Sequence, residues 1–266
     1  MKDIEHGSFQ GTSWSKKGSG SPVILVHGLG INRQMWQWQI ESLSPNFSVI
    51  YYDLLGHGES VNPEIPCQLS QFSSQLLTLM DGLNLECCAL VGFSLGGLIV
   101  QEFALNHPEK VNTLVLLNTA HGRTKSERKE VLSRVQQAEE HGPASTAEAA
   151  LERWFSIEFL ANNPEIMDKI RSWIKANDKY IYPKIYRLLA ECDESLKDSI
   201  SDIRCPTLVM TGEDDRGNSP EMSHRMAALI PNARAEIIPG LKHMGLVENP
   251  EAFNSRIVSF FQEVFR

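Results

Sequence analysis

The sequence predicts an α/β fold, a mostly parallel, doubly wound sheet with an inserted helical cap. Three observations point to it. Continuous apolar, β-branched runs, as at residues 23–26 and 111–117, are the pattern of strands covered on both faces. Helical spacings separate these runs, as crossovers between parallel strands require. The alternation then stops between about residues 122 and 204, where charged amphipathic helices follow one another without a convincing strand. Residues 1–121 and 205–266 are assigned to the core domain and 122–204 to the cap, because long insertions in compact domains usually serve a function.

Taken in order, residues 8–16 alternate weakly and predict short antiparallel strands at a sheet edge, with a Gly/Ser turn over 17–22. The strand at 23–26 ends in the glycine-rich loop His27-Gly28-Leu29-Gly30. Residues 34–43 read as an amphipathic helix with Trp36 and Trp38 partly facing the sheet. The next strand, 49–53, runs into a loop containing Gly56-His57-Gly58-Glu59-Ser60. It reads as a turn held by Asp53 and His57 rather than as a metal or phosphate site. Leu69, Phe72, Leu76, Leu79 and Leu83 have helical spacing. Cys87 and Cys88 read as small core residues before the strand at 89–91. A helix over 98–105 follows and is stopped by Asn106-His107-Pro108. Cap helices are predicted over 126–141, 146–155, 164–176 and 180–192. Core pattern resumes with a strand at 206–211, a helix carrying Met222, Met226 and Leu229, a strand at 235–238 and a closing helix over 250–265.

Composition narrows the function. A length of 266 residues suits one large α/β domain with an insertion, and the net charge of -8 disfavours nucleic acid as a partner. No run approaches the roughly 18 apolar residues of a membrane span. The beginning, Met1-Lys2-Asp3-Ile4-Glu5-His6-Gly7, lacks the apolar stretch of a signal peptide. Five cysteines without C-x-x-C spacing predict free thiols, so the expected location is cytoplasmic. No His/Cys pattern has metal-ligand spacing, and no metal or organic cofactor is expected. The expected partner is a small molecule, with the protein a monomer or homodimer.

The chemistry is concentrated in Val91-Gly92-Phe93-Ser94-Leu95-Gly96-Gly97. A serine between two glycines at a strand-to-helix turn is the pattern of a nucleophile elbow. Its tight turn needs glycine where a Cβ would meet backbone. The His27–Gly30 loop, at another strand's carboxyl end, is suited to aim backbone N–H groups at a developing oxyanion. Leu29 and Leu95 are the expected donors. His27 is read as bracing that loop, since His243, in the loop Gly240-Leu241-Lys242-His243-Met244-Gly245, is the better base. Cap aromatics are mostly cap core, with Trp154, Phe155 and Tyr186 taken as substrate-lining candidates.

Serine, then acid, then histidine at strand ends resembles the α/β-hydrolase-fold serine hydrolases along nearly the whole chain. The residues that carry the resemblance are His27-Gly28-Leu29-Gly30, Asp53 through Ser60, Gly92 through Gly97, Gly212 through Asp215, and His243. Within the family the chain looks most like the esterase and 3-oxoadipate enol-lactonase group. The family pattern G-x-x-D after Gly212 implies Asp215 as the acid, with Asp214 the neighbour most easily mistaken for it. The resemblance implies hydrolysis of a small carboxylic ester or lactone through an acyl-enzyme on Ser94, with Ser94, Asp215 and His243 as triad. Two alternatives stay open: carbon–carbon bond hydrolysis of ring-fission products, and a low-turnover small-molecule receptor. The first needs cap cations for a carboxylate, and Arg123, Arg153, Arg171, Lys175 and Arg187 are available. The chain departs from the family where Arg216-Gly217-Asn218-Ser219-Pro220 replaces an often apolar segment.

Overall fold

The structure, a computed structural model, describes residues 4–265. Met1–Asp3, within the stretch that lacks a signal peptide's apolar run, lie outside the described residues. The antiparallel edge expected near the start is a hairpin of β1 (Glu5–Phe9) and β2 (Thr12–Lys17), turning through Gln10 and Gly11 at positive φ. After β3 (Ser21–Val26), the helix expected over 34–43 is split. A 3₁₀ turn at Arg33–Trp36 precedes α1 (Gln37–Leu43), and Asn32 caps that turn by accepting the Gln34 N–H. Trp36 is fully buried and Trp38 is half-buried.

The core continues through β4 (Phe47–Tyr52), α2 (Leu69–Gly82), β5 (Cys88–Phe93), α3 (Leu95–Asn106) and β6 (Val111–Leu117). Six helices then form the insertion: α4 (Lys125–His141), α5 (Ala147–Trp154), α6 (Ile157–Asn162), α7 (Pro164–Lys175), α8 (Tyr182–Glu191) and α9 (Asp193–Leu196). The core closes with β7 (Thr207–Gly212), α10 (Pro220–Leu229), β8 (Ala233–Ile238), α11 (Gly245–Glu248) and α12 (Pro250–Val264). Among the described residues no helix is long and apolar enough to cross a membrane.

The sheet has the order β1-β2-β4-β3-β5-β6-β7-β8, parallel from β4 through β8 and antiparallel at the β1/β2/β4 edge. Strand side chains alternate between two cores. Ile24 and Val26 of β3 join Leu76 of α2 and Phe103 of α3, whereas Val23 and Leu25 join Trp36, Phe253 and Ile257 on the opposite face. Both faces are therefore covered, which is why the parallel strands read as unbroken apolar runs. The insertion shares both cores, through Ile185 and Leu189 of α8 on one side and Leu151 of α5 and Ile174 of α7 on the other. Contrary to expectation, Cys87 is exposed; only its neighbour Cys88 enters the core. The chain leaves β3 toward β4 on one side and β5 lies on the other, so a crevice opens between the ends of β3 and β5.

Candidate active site

Ser94 stands at that crevice, between the last residue of β5 and the first of α3. Its φ of 54° and ψ of -113° are strained for a side-chain-bearing residue. The strain is held by backbone. Ser94 N donates to Leu117 O at 2.9 Å, and Ser94 O accepts from Gly97 N at 3.0 Å and from Thr119 Oγ1 at 2.7 Å. The turn packs so closely that a Cβ on Gly96 would lie 2.1 Å from Val26 O, and one on Gly92 would lie 2.5 Å from Gly96 O. Only glycine fits at either place.

Across the crevice, the loop after β8 carries His243, whose Nδ1 lies 2.7 Å from Asp215 Oδ2. Asp215 follows β7 and is 2% exposed. Its Oδ2 also accepts from Asn118 Nδ2 at 2.9 Å, and its Oδ1 accepts from the N–H groups of Gly217 and Asn218, each at 3.0 Å. Both oxygens of the buried carboxylate are thus held by donors, which fixes its orientation toward the imidazole. With Nδ1 committed to Asp215, Nε2 lies on the other side of the imidazole. Asp214, one residue earlier, is exposed and bonds Leu241 O through its backbone N–H. The polar segment after Asp215 thus wraps that carboxylate.

The two candidate oxyanion donors are arranged differently. Leu95 is the first residue of α3, where an N–H has no carbonyl partner within the helix, although its side chain is fully buried. Leu29 lines the cavity described below. Its loop is fixed by two buried histidines. His27 Nδ1 lies 2.8 Å from Gly28 O, and its Nε2 accepts the Leu54 N–H at 3.0 Å. His57 Nε2 accepts the Gly30 N–H at 3.0 Å, with Nδ1 3.1 Å from Leu55 O. Each loop thus lends a ring to the other. Burial is the main reason both rings stay neutral, lowering the pKa of His27 to about 4 and that of His57 to about 3. His27 is consequently a brace. Asp53 ties the same region by accepting from the N–H groups of Arg33 (2.8 Å) and Glu59 (2.9 Å), and pairs with the Arg33 guanidinium.

A cavity of about 650 Å³ joins these parts, with Ser94, Asp215, His243 and Leu29 on the core side and Trp154 and Tyr186 on the insertion side. The Trp154 ring lies 6.0 Å from that of His243. Phe155 does not line the cavity: it is fully buried in the core below and stacks on Phe159 at 5.3 Å. Adjacent residues at the end of α5 project in different directions, so the two aromatics part company.

Residues 23–256 match the family model described as "Alpha/beta hydrolase family". The chain belongs to the alpha/beta hydrolase family. As an alpha/beta hydrolase it is 30% identical, over 98% of both chains, to an (E)-2-((N-methylformamido)methylene)succinate hydrolase from Acinetobacter baylyi. It is also 30% identical to a 3-oxoadipate enol-lactonase from that organism, over 88% of this chain and 86% of the relative. Among solved structures, the enol-lactonase from Burkholderia xenovorans superposes with a TM-score of 0.89 at 27% identity, covering 97% of this chain and all of the other.

In this hydrolase Asn118, given no role from the sequence, enters the site, and the candidate cations divide by their partners. Asn118, at the end of β6 with φ 46°, reaches Asp215 and Thr211, and its carbonyl accepts from Asn218 Nδ2 at 2.7 Å. Asn218 Oδ1 in turn accepts from Arg123 at 3.3 Å. Arg123 is occupied by the buried Asp193, at 3.3 Å, and by Leu189 O, at 2.8 Å. Arg171 pairs with Glu148 and Asp168, and Arg187 with Glu139, so these members of the cation set are neutralised within the insertion.

Proposed function

We propose that this alpha/beta hydrolase cleaves a small carboxylic ester or lactone through an acyl-enzyme on Ser94. One observation carries the reading: the Asp215–His243 pair and the strained Ser94 elbow open onto one cavity. His243 Nε2 takes the Ser94 proton as Oγ attacks the carbonyl carbon, while Asp215 holds the ring and balances the imidazolium. The Leu29 and Leu95 N–H groups hold the tetrahedral oxyanion, each donor contributing roughly 3–4 kcal/mol in sites of this kind. Collapse of the intermediate returns the proton from His243 to the leaving oxygen. Water then attacks the acyl carbonyl with His243 as base, releasing the acid and regenerating Ser94. The insertion acts as a cap that closes the far wall of the cavity. Similarity to an enol-lactonase over nearly the full chain supports the ester or lactone class.

The test is the time course of p-nitrophenyl acetate hydrolysis by the wild type and Ser94→Ala. Sustained turnover that Ser94→Ala abolishes is expected. Equal rates for the two proteins would overturn the nucleophile, and a single burst without turnover would favour a receptor.

A further inference from the structure

The cap side of the cavity carries two arginines, Arg134 on α4 and Arg153 on α5. Among the described residues neither has a carboxylate within ion-pairing distance. Arg134 donates from Nε to the Tyr186 hydroxyl at 3.0 Å, and Arg153 donates to Ala149 O at 2.6 Å within its own helix. This differs from Arg123, Arg128, Arg171 and Arg187, all of which pair with acids. The contrast is sharpest at Arg134. Glu130 precedes it by four residues, the spacing at which helical ion pairs form, yet the guanidinium turns to Tyr186. Two guanidinium groups that face one cavity without an ion-pair partner present donors that a single anion can join.

We infer that Arg134 and Arg153 form a carboxylate-binding subsite, opposite the Ser94 wall, that selects esters or lactones bearing a second, free carboxylate. Arg is suited to this because its fork matches carboxylate oxygens in two places. The Tyr186 hydroxyl, accepting from Arg134, keeps its own proton for the same anion. The inference rests on the proposed ester or lactone reading for its reacting carbonyl, but it can be read without turnover.

The experiment compares binding of monomethyl adipate and dimethyl adipate to Ser94→Ala by calorimetry, in that background alone and with Arg134→Gln or Arg153→Gln added. The monoacid should bind at least about 10-fold tighter than the diester, with either arginine substitution removing most of that preference, as expected for a charge-assisted contact. Arg153→Lys should restore part of it, whereas a purely structural role would leave the ratio unmoved. Unchanged melting temperatures would verify that the variants are folded. Equal affinities for the two esters, a preference surviving both substitutions, or no monoacid binding at millimolar concentration would each overturn the subsite. Loss of wild-type ester hydrolysis, measured separately, would speak against the Ser94 chemistry instead.

Discussion

Asn118 donates its amide to the same Asp215 oxygen that faces His243, 2.9 Å from one side against 2.7 Å from the other. The carboxylate is thereby fixed in rotation and cannot swing away from the imidazole. Asn118→Ala should lower kcat by about 10- to 100-fold, the range for losing a hydrogen bond to a charged group, with KM little changed. Steady-state kinetics checks this. A rise in KM with kcat unaltered would move Asn118 out of the positioning role.

Asp215 and Asp214 should separate cleanly. Asp215→Asn is expected to reduce turnover on the order of 10⁴-fold, because the imidazole loses the partner that sets its tautomer. Asp214→Asn, at an exposed carboxylate, should stay within about threefold. The two rates, measured side by side, reverse only if the acid has been misassigned.

The paired histidines make stability pH-dependent. Folded His27 and His57 are neutral, with pKa values lowered to about 4 and about 3, whereas the unfolded rings take protons near their ordinary value of 6.5. As pH falls below about 6.5 the unfolded chain binds more protons than the folded one, so their contribution to stability is full above that value and drains away toward pH 4 and below. Melting temperature should therefore decline over this interval. His57→Gln, which keeps an acceptor for Gly30 but does not titrate, should flatten the decline.

The buried Asp193 balances Arg123 and Arg128 together, at 3.3 and 2.9 Å. Asp193→Ala strands the buried Arg123, whereas Arg128 keeps Glu194 at 2.9 Å, and should cost about 3–5 kcal/mol, seen as a lower denaturation midpoint. Adding Arg123→Met should recover part of that loss, since the uncompensated charge goes with it.

How far these features were legible in the sequence depends on how local their causes are. The elbow could be read because Gly92, Ser94 and Gly96 answer a short-range steric demand, and the core strands could be read because burial on both faces leaves an apolar run. The split of the 34–43 helix was not legible, since a 3₁₀ turn differs from an α-turn only in bonding three residues apart rather than four. The six-residue α6 and four-residue α9 fall below the length at which periodicity is informative. Trp154 and Phe155 could not be told apart, because only tertiary packing decides which ring faces the cavity. Asn118 meets Asp215 across 97 positions of sequence, where nothing but the fold announces the contact. Likewise, a cation's worth as a ligand depends on whether some acid has already claimed it, as it has for Arg123 and not for Arg134.

The insertion is stitched to the loop that carries His243, the proposed base. Met244 N donates to Trp154 O at 2.9 Å, Lys242 Nζ to Glu152 O at 2.9 Å, and Ser156 N to Glu248 at 3.0 Å. Residues 152–156 and 242–248 are therefore a single hydrogen-bonded unit despite their separation in the chain. A chimera that imports a relative's cap between β6 and β7 to change substrate range must bring both segments. Transplanting the cap alone leaves the imidazole hanging on seams cut for a different partner.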